Sequence, residues 1–316
     1  MDKIKLYSPL KYLISQSVLD NEFDKPISYN NPNKHFKRNV YSNNNLNINI
    51  NSLGTTILTN PTIYLKGNNI EQINNTELKE FIGQFENDLK FDSNYFNLVG
   101  FDFNRNIYTN YLPKNYLILF RDMPKYDMTN HKGKTGKTFK NDCKEFVLYD
   151  KKIEQLKKKI VIPQSYSDKN ILRLELRVKE KMKQTKNLQN INKLKDITQS
   201  NNYNNIINEY LKMYNKINKQ QNNFKIRDLK EIEIPMMDIE NEAILYCLNE
   251  IGMEGYFNKI EDKVNLNFLT KKQAKARQQK ALSIWNEFIN YSDNDKYDLL
   301  TEINTKVNDS AMALME

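Results

Sequence analysis

Alternation of apolar and polar residues marks the strands of this chain. In ILRLELRVK (171–179), Leu172, Leu174, Leu176 and Val178 take one face, and Arg173, Glu175, Arg177 and Lys179 take the other. That is the period of two a pleated sheet imposes. LNINI (46–50) alternates in the same way, and TTILT and TIYLK, on either side of Asn60–Pro61, read as two more strands before a turn at Gly67-Asn68-Asn69. NLVGFDFNRNI (97–107) is a strand with Asp102 inside it. EFVLYD (145–150) is another, running into a basic helix, KKIEQLKKK. NYLILF (115–120) fits either state. Leu78, Phe81, Ile82, Phe85 and Leu89 fall at helical spacing, with Thr76 as the expected N-cap.

Beyond residue 185 the period changes to 3.6. Tyr203, Ile206, Ile207, Tyr210, Leu211, Tyr214 and Ile217 form one helical stripe, and Leu282, Trp285, Phe288 and Ile289 form another. The pattern predicts an α+β protein in three parts. Residues 1–45 read as an N-terminal extension with one apolar patch (Tyr7 to Leu19), 46–190 as a strand-rich domain, and 191–316 as a helical C-terminal domain.

The 316 residues carry 48 Lys+Arg against 39 Asp+Glu, a net charge of +9. The 17 Lys/Arg and 7 Asp/Glu between His131 and Lys186 account for the excess, and a basic stretch of that kind suits a nucleic acid or an ordinary solvated surface. Mean hydropathy is −0.77 and no run approaches the length of a membrane span, so no membrane association is expected. The leading segment, MDKIKLYSPLKYLIS, lacks the layout of a secretory signal. Two cysteines, Cys143 and Cys247, make neither a zinc site nor a disulfide framework, which fits a reducing cytoplasm. His35 and His131, the two histidines, lie far apart and form no paired-histidine motif.

GKTGKT (133–138) lacks the spacing of a phosphate loop and precedes a strand, so it reads as a basic turn rather than an ATP site. Asp102 and Glu175 each interrupt an apolar strand. Such acids either face solvent or hold a hard cation, and carboxylate oxygens suit Mg²⁺ or Mn²⁺. Tyr149, at a strand end before Asp150-Lys151-Lys152, has the lysine neighbours that phosphoryl transfer to a phenol asks for, although an ordinary strand tyrosine fits the pattern too. Tyr210 and Tyr214, four apart on a helix, are alternative nucleophiles that also continue an apolar stripe.

Read in order, Asn60-Pro61, Leu65-Lys66-Gly67-Asn68-Asn69, Gly100-Phe101-Asp102, Phe146-Val147-Leu148-Tyr149-Asp150-Lys151 with Glu154, and Leu172-Arg173-Leu174-Glu175-Leu176-Arg177 resemble the phage and plasmid replication initiators of the filamentous-phage gene II/X type, in the branch found in Bacteroidetes. The resemblance covers roughly residues 45 to 290. It implies a five-stranded, ferredoxin-like nuclease palm and a rolling-circle initiator that nicks one strand of origin DNA and keeps it as a 5′-phosphotyrosine. By that resemblance Tyr149 is the nucleophile and Lys151 supports it. Asp102 and Glu175 hold Mg²⁺ or Mn²⁺, and Asn68 replaces a histidine that other members carry. Arg173, Arg177, Lys152 and Lys137 are assigned to DNA contacts. Host helicase and polymerase are the implied partners. A helix with Lys271, Lys272, Lys275, Arg277 and Lys280 has the charge to lie on duplex DNA, or to be a plain solvated face. The rival readings are an origin-binding protein without catalysis, and a relaxase- or transposase-like nickase of a mobile element.

Overall fold

The computed structural model describes residues 1–11, 13–23, 27–31, 36–43, 45–179, 185–219, 239–291 and 299–315. His35 lies outside them. The chain divides into two compact units, residues 1–221 with 300–316, and residues 222–299.

The first unit is α+β, built on one antiparallel sheet of ten strands in the order β2-β3-β4-β5-β1-β6-β10-β9-β8-β7. The strands are β1 (Lys3–Ser8), β2 (Ile27–Asn31), β3 (Phe36–Ser42), β4 (Leu46–Asn51), β5 (Gly54–Thr59), β6 (Asn97–Thr109), β7 (Asp127–Asn130), β8 (Gly136–Lys140), β9 (Lys144–Asp150) and β10 (Asn170–Val178). The expected palm had five strands. The doubling has a simple plan: in each half a leading strand and a short helix precede a four-stranded meander that returns to lie beside the leader. β1, α1 (Gln16–Glu22) and β2 to β5 make one half. β6, α4 (Pro113–Leu117) and β7 to β10 make the other. The halves join where β1 pairs antiparallel with β6.

Residues 1–45 are therefore no extension, because β1 occupies the middle of the sheet. Its sequence KIKLYS alternates, burying Ile4 and Leu6 and turning Lys3, Lys5 and Tyr7 to the other face. Nor does a boundary fall near 190. α6 (Ser200–Lys216) packs on the sheet through Tyr210, whose ring meets Phe103 and Phe146 at 5.4 and 5.5 Å. α9 (Leu299–Met312) also belongs here, with Glu302 accepting from Tyr116 Oη and from Asn110 N at 3.0 Å.

TIYLK is a helix, α2 (Pro61–Lys66), rather than a strand. Asn60 accepts from Ile63 N, Pro61 fills the first turn where no donor is needed, and Gly67 closes the helix at φ 71°. α3 (Asn75–Leu89) buries Leu78, Phe81, Ile82, Phe85 and Leu89, the expected stripe, but its N-cap is Asn74, in a capping box with Glu77, rather than Thr76. The first half of NYLILF ends α4, and the rest is a turn with a single bridge at Phe120. The basic stretch after Tyr149 is α5 (Lys151–Lys157), capped by Asp150.

The second unit contains α7 (Ile239–Asn265) and α8 (Lys271–Tyr291), the former broken at Gly252 (φ 73°, ψ 166°). Lys271, Lys272, Lys275 and Arg277 of α8 are exposed, and Lys280 pairs with Glu240 at 3.0 Å.

Candidate active site

Strand register decides which predicted residues meet. Asp102, Asn104 and Asn106 of β6 stand opposite Arg177, Glu175 and Arg173 of β10. Those in turn stand opposite Glu145, Val147 and Tyr149 of β9. Directly opposed residues share a face, so the phenol, both acids and both arginines rise from one side of the sheet. Phe103, Leu148, Leu174 and Leu176 fill the other side. Asp102 and Glu175 are diagonal neighbours, about 7–8 Å apart at Cα. A cleft of about 920 Å³ opens above them, lined among others by Asp2, Asp102, His131, Tyr149, Glu175 and Arg177.

Tyr149 is 8 % exposed, and its hydroxyl donates to Glu175 Oε2 at 3.1 Å. Burial first, and then the Glu175 charge, push this phenol well above its ordinary value, against the opposing pull of Arg173. Arg177 clamps the same carboxylate, from Nε to Oε1 at 2.9 Å and from a terminal nitrogen to Oε2 at 3.4 Å. Asp102 is raised well above its usual range by burial and by Glu175. Asp102 stands between Lys3 and Arg177 on its neighbouring strands, and both cations pull against that rise.

Arg173 does not reach out to a ligand. It is 0 % exposed and donates from Nε to Asn106 Oδ1 (2.7 Å), from a terminal nitrogen to Asp2 Oδ2 (3.1 Å), and from the other to the Asn69 carbonyl. It is an internal tie between β10, β6 and the loop after α2, not a phosphate contact. Arg177, with a side chain 39 % exposed, remains accessible. Lys151 is buried, with its ammonium 2.8 Å from Glu154 Oε2 and 5.9 Å from the Tyr149 ring centroid. Burial and Arg173 lower it to about 8; Glu154, against the cost of its own burial, is drawn down to about 2 mainly by Lys151.

Five further assignments sit elsewhere. Asn68 is folded into its own turn: its Oδ1 accepts from Ile70 N and Glu71 N, and its amide donates to Glu71. It does not line the cleft. Lys137 lies across from Leu148 on the opposite face and donates to the Phe120 carbonyl, while burial and Arg121 lower it to about 8. Lys152 donates to the Ser167 carbonyl. Tyr210 and Tyr214 are both 0 % exposed; the former packs under the sheet, and the latter donates to Asn304 Oδ1 at 2.7 Å. As nucleophiles they have no access to a strand of DNA.

The structure also brings in residues that the sequence did not single out. Asn69, one residue beyond the expected ligand, lines the cleft with a buried amide oxygen that has no hydrogen-bond partner among the described residues. Asp2 arrives on β1's leading end. His131 lines the cleft, its Nε2 2.8 Å from Thr138 Oγ1, and burial, then Arg177 and Lys157, hold its pKa down. A Cβ on Gly136 would come within 2.5 Å of His131 Nδ1 and 2.7 Å of Tyr149 Cβ, so only glycine lets the imidazole sit against the tyrosine. Gly136→Ala is expected to destabilise by roughly 1–3 kcal/mol, read from the urea midpoint.

Among the described residues no three His, Cys, Asp or Glu side chains converge as a metal cage. Two carboxylates on neighbouring strands still fit Mg²⁺ or Mn²⁺, since such ions are commonly held by one or two acids plus waters and substrate phosphate. No family model matches the chain, and no curated protein matches it either.

Proposed function

We propose that this protein nicks and rejoins one strand of DNA through Tyr149, as a rolling-circle initiator does, with the central strands acting as the nuclease palm. The observation that carries this reading is the Tyr149 hydroxyl hydrogen-bonded to Glu175 beside Asp102 in an open cleft.

Tyr149 Oη attacks the phosphorus, its proton is relayed by the Glu175 carboxylate to water, and the O3′–P bond breaks as the O–P bond to tyrosine forms. The departing 3′ oxygen takes a proton from water. Arg177 holds a non-bridging phosphate oxygen once its grip on Glu175 loosens. Asp102 and Glu175 would hold a divalent cation, which when bound neutralises charge on the phosphate in flight. Return attack by the 3′ hydroxyl restores the strand, so no ATP is needed. DNA at a replication origin is the proposed substrate, and the host replication machinery the proposed partner.

Burial of the phenol and the Arg177 clamp on Glu175 favour a second reading, an origin-binding protein without catalysis. One experiment separates the two. Wild type incubated with Mn²⁺ and a randomised single-stranded oligonucleotide pool is expected to give a denaturant-resistant protein–DNA adduct. Tyr149→Phe and added EDTA should each abolish it. Undiminished adduct in Tyr149→Phe would refute the assignment, and binding without adduct in wild type would leave the second reading.

A further inference from the structure

The cleft does not end at the acids. It continues over β1 onto β5 and β4, where Lys3, Asn45, Asn47 and Leu58 line it. Register places them in two rows. Lys5, Leu58 and Asn47 are successive cross-strand neighbours, and Lys3, opposite Asp102, leads the row beside them. Three strand spacings separate β4 from β6, about 14 Å.

Asparagines crowd this arm, but not all of them are available. Asn43 Oδ1 accepts from the amides of Asn45 and Leu46, and Asn60 caps α2 and donates to Asp2 at 2.8 Å. The side-chain amides of Asn45 and Asn47 make no hydrogen bond among the described residues, and both are half-buried rather than dispersed in solvent. An amide offers an acceptor and a donor side by side, the complement of the N6 donor and ring-nitrogen acceptor on an adenine edge. Leu58 offers an apolar surface to a ring face. An open sheet with such groups reads bases that are already unstacked, because a duplex hides its edges from a flat surface.

Resting on the function proposed above, we infer that this arm selects adenine in a single strand whose scissile phosphate lies at Tyr149, with Asn45 and Asn47 as the specificity-determining residues. The second half of the sheet does the chemistry and the first half reads the sequence.

The test uses the full chain carrying Tyr149→Phe, which retains a bound strand uncut. Selection from a randomised single-stranded pool is expected to enrich oligonucleotides with fixed adenines. Adding Asn45→Ala and Asn47→Ala should weaken binding of the selected oligonucleotide about tenfold, while a version with those adenines replaced by thymines binds the variant and its parent alike. Asn47→Asp, which keeps the shape but only accepts, has no donor for the ring nitrogen and should weaken adenine binding as the alanine substitution does. An enriched pool without adenine bias, or a bias that survives both substitutions, overturns the inference. If wild type still forms its Mn²⁺-dependent adduct in that case, the nickase reading stands without it; no binding and no adduct would remove both.

Discussion

Arg173→Met should cost roughly 3–5 kcal/mol of stability, the usual penalty for stripping one partner from a buried ion pair. The substitution takes the Arg173 donor from Asp2, the Asn106 amide oxygen and the Asn69 carbonyl, at a side chain that is itself fully buried. Against a typical total of about 5–15 kcal/mol, that is a large share of what holds the protein folded. Lys179→Met is the matched control. Its ammonium pairs with Glu145 at 2.8 Å on a side chain 43 % exposed, and pairs of that kind contribute about 0–1 kcal/mol. Denaturant titration of both variants provides the check. An Arg173→Met midpoint equal to that of Lys179→Met would mean that the guanidinium is not the tie described here.

Asp102→Asn should separate stability from activity. Burial and the adjacent Glu175 hold the Asp102 pKa above its ordinary value, so between those two values the folded protein binds a proton the unfolded chain has released. Stability from this group is thus fully present below the ordinary Asp range and is lost as pH rises through the raised one. The amide removes that liability. With EDTA present at pH 7, Asp102→Asn is expected to melt roughly 2 °C or more above wild type, whereas adduct formation should fall at least a hundredfold. Mg²⁺ should raise the melting temperature of wild type and leave the variant unmoved. A variant less stable than wild type in EDTA would show that Asp102 is satisfied as it stands.

Much of this was legible in the sequence where one period dominated. LRLELRV and NLVGFDFNRNI each announce a strand, and the acids fall on the polar side of their alternation. What alternation cannot convey is whether that side is wet: Arg173 and Glu175 sit on the polar face and are buried, the one tied to the loop after α2 and the other held between Tyr149 and Arg177. Register between strands 70 residues apart is equally silent in a single sequence, and it alone puts Asn106, Arg173 and Tyr149 in one row. Gly67-Asn68-Asn69 reads as a turn, yet the first asparagine is spent on closing it and only the second reaches the cleft. TIYLK misled because β-rich composition was outweighed by the cap and proline ahead of it. β1 went unseen because six residues with two lysines make a faint signal, and only the pairing on both of its sides gives it weight.

That central strand has a consequence for how the chain is made. Lys3 finds its neighbour at Asp102, so the ribosome must add about a hundred residues, some 5–20 s of synthesis, before the second edge of β1 is covered. Through that interval the nascent meander carries a half-finished ladder. Lys3 and Lys5 stand along it, and edge lysines are a known deterrent to pairing with the wrong chain.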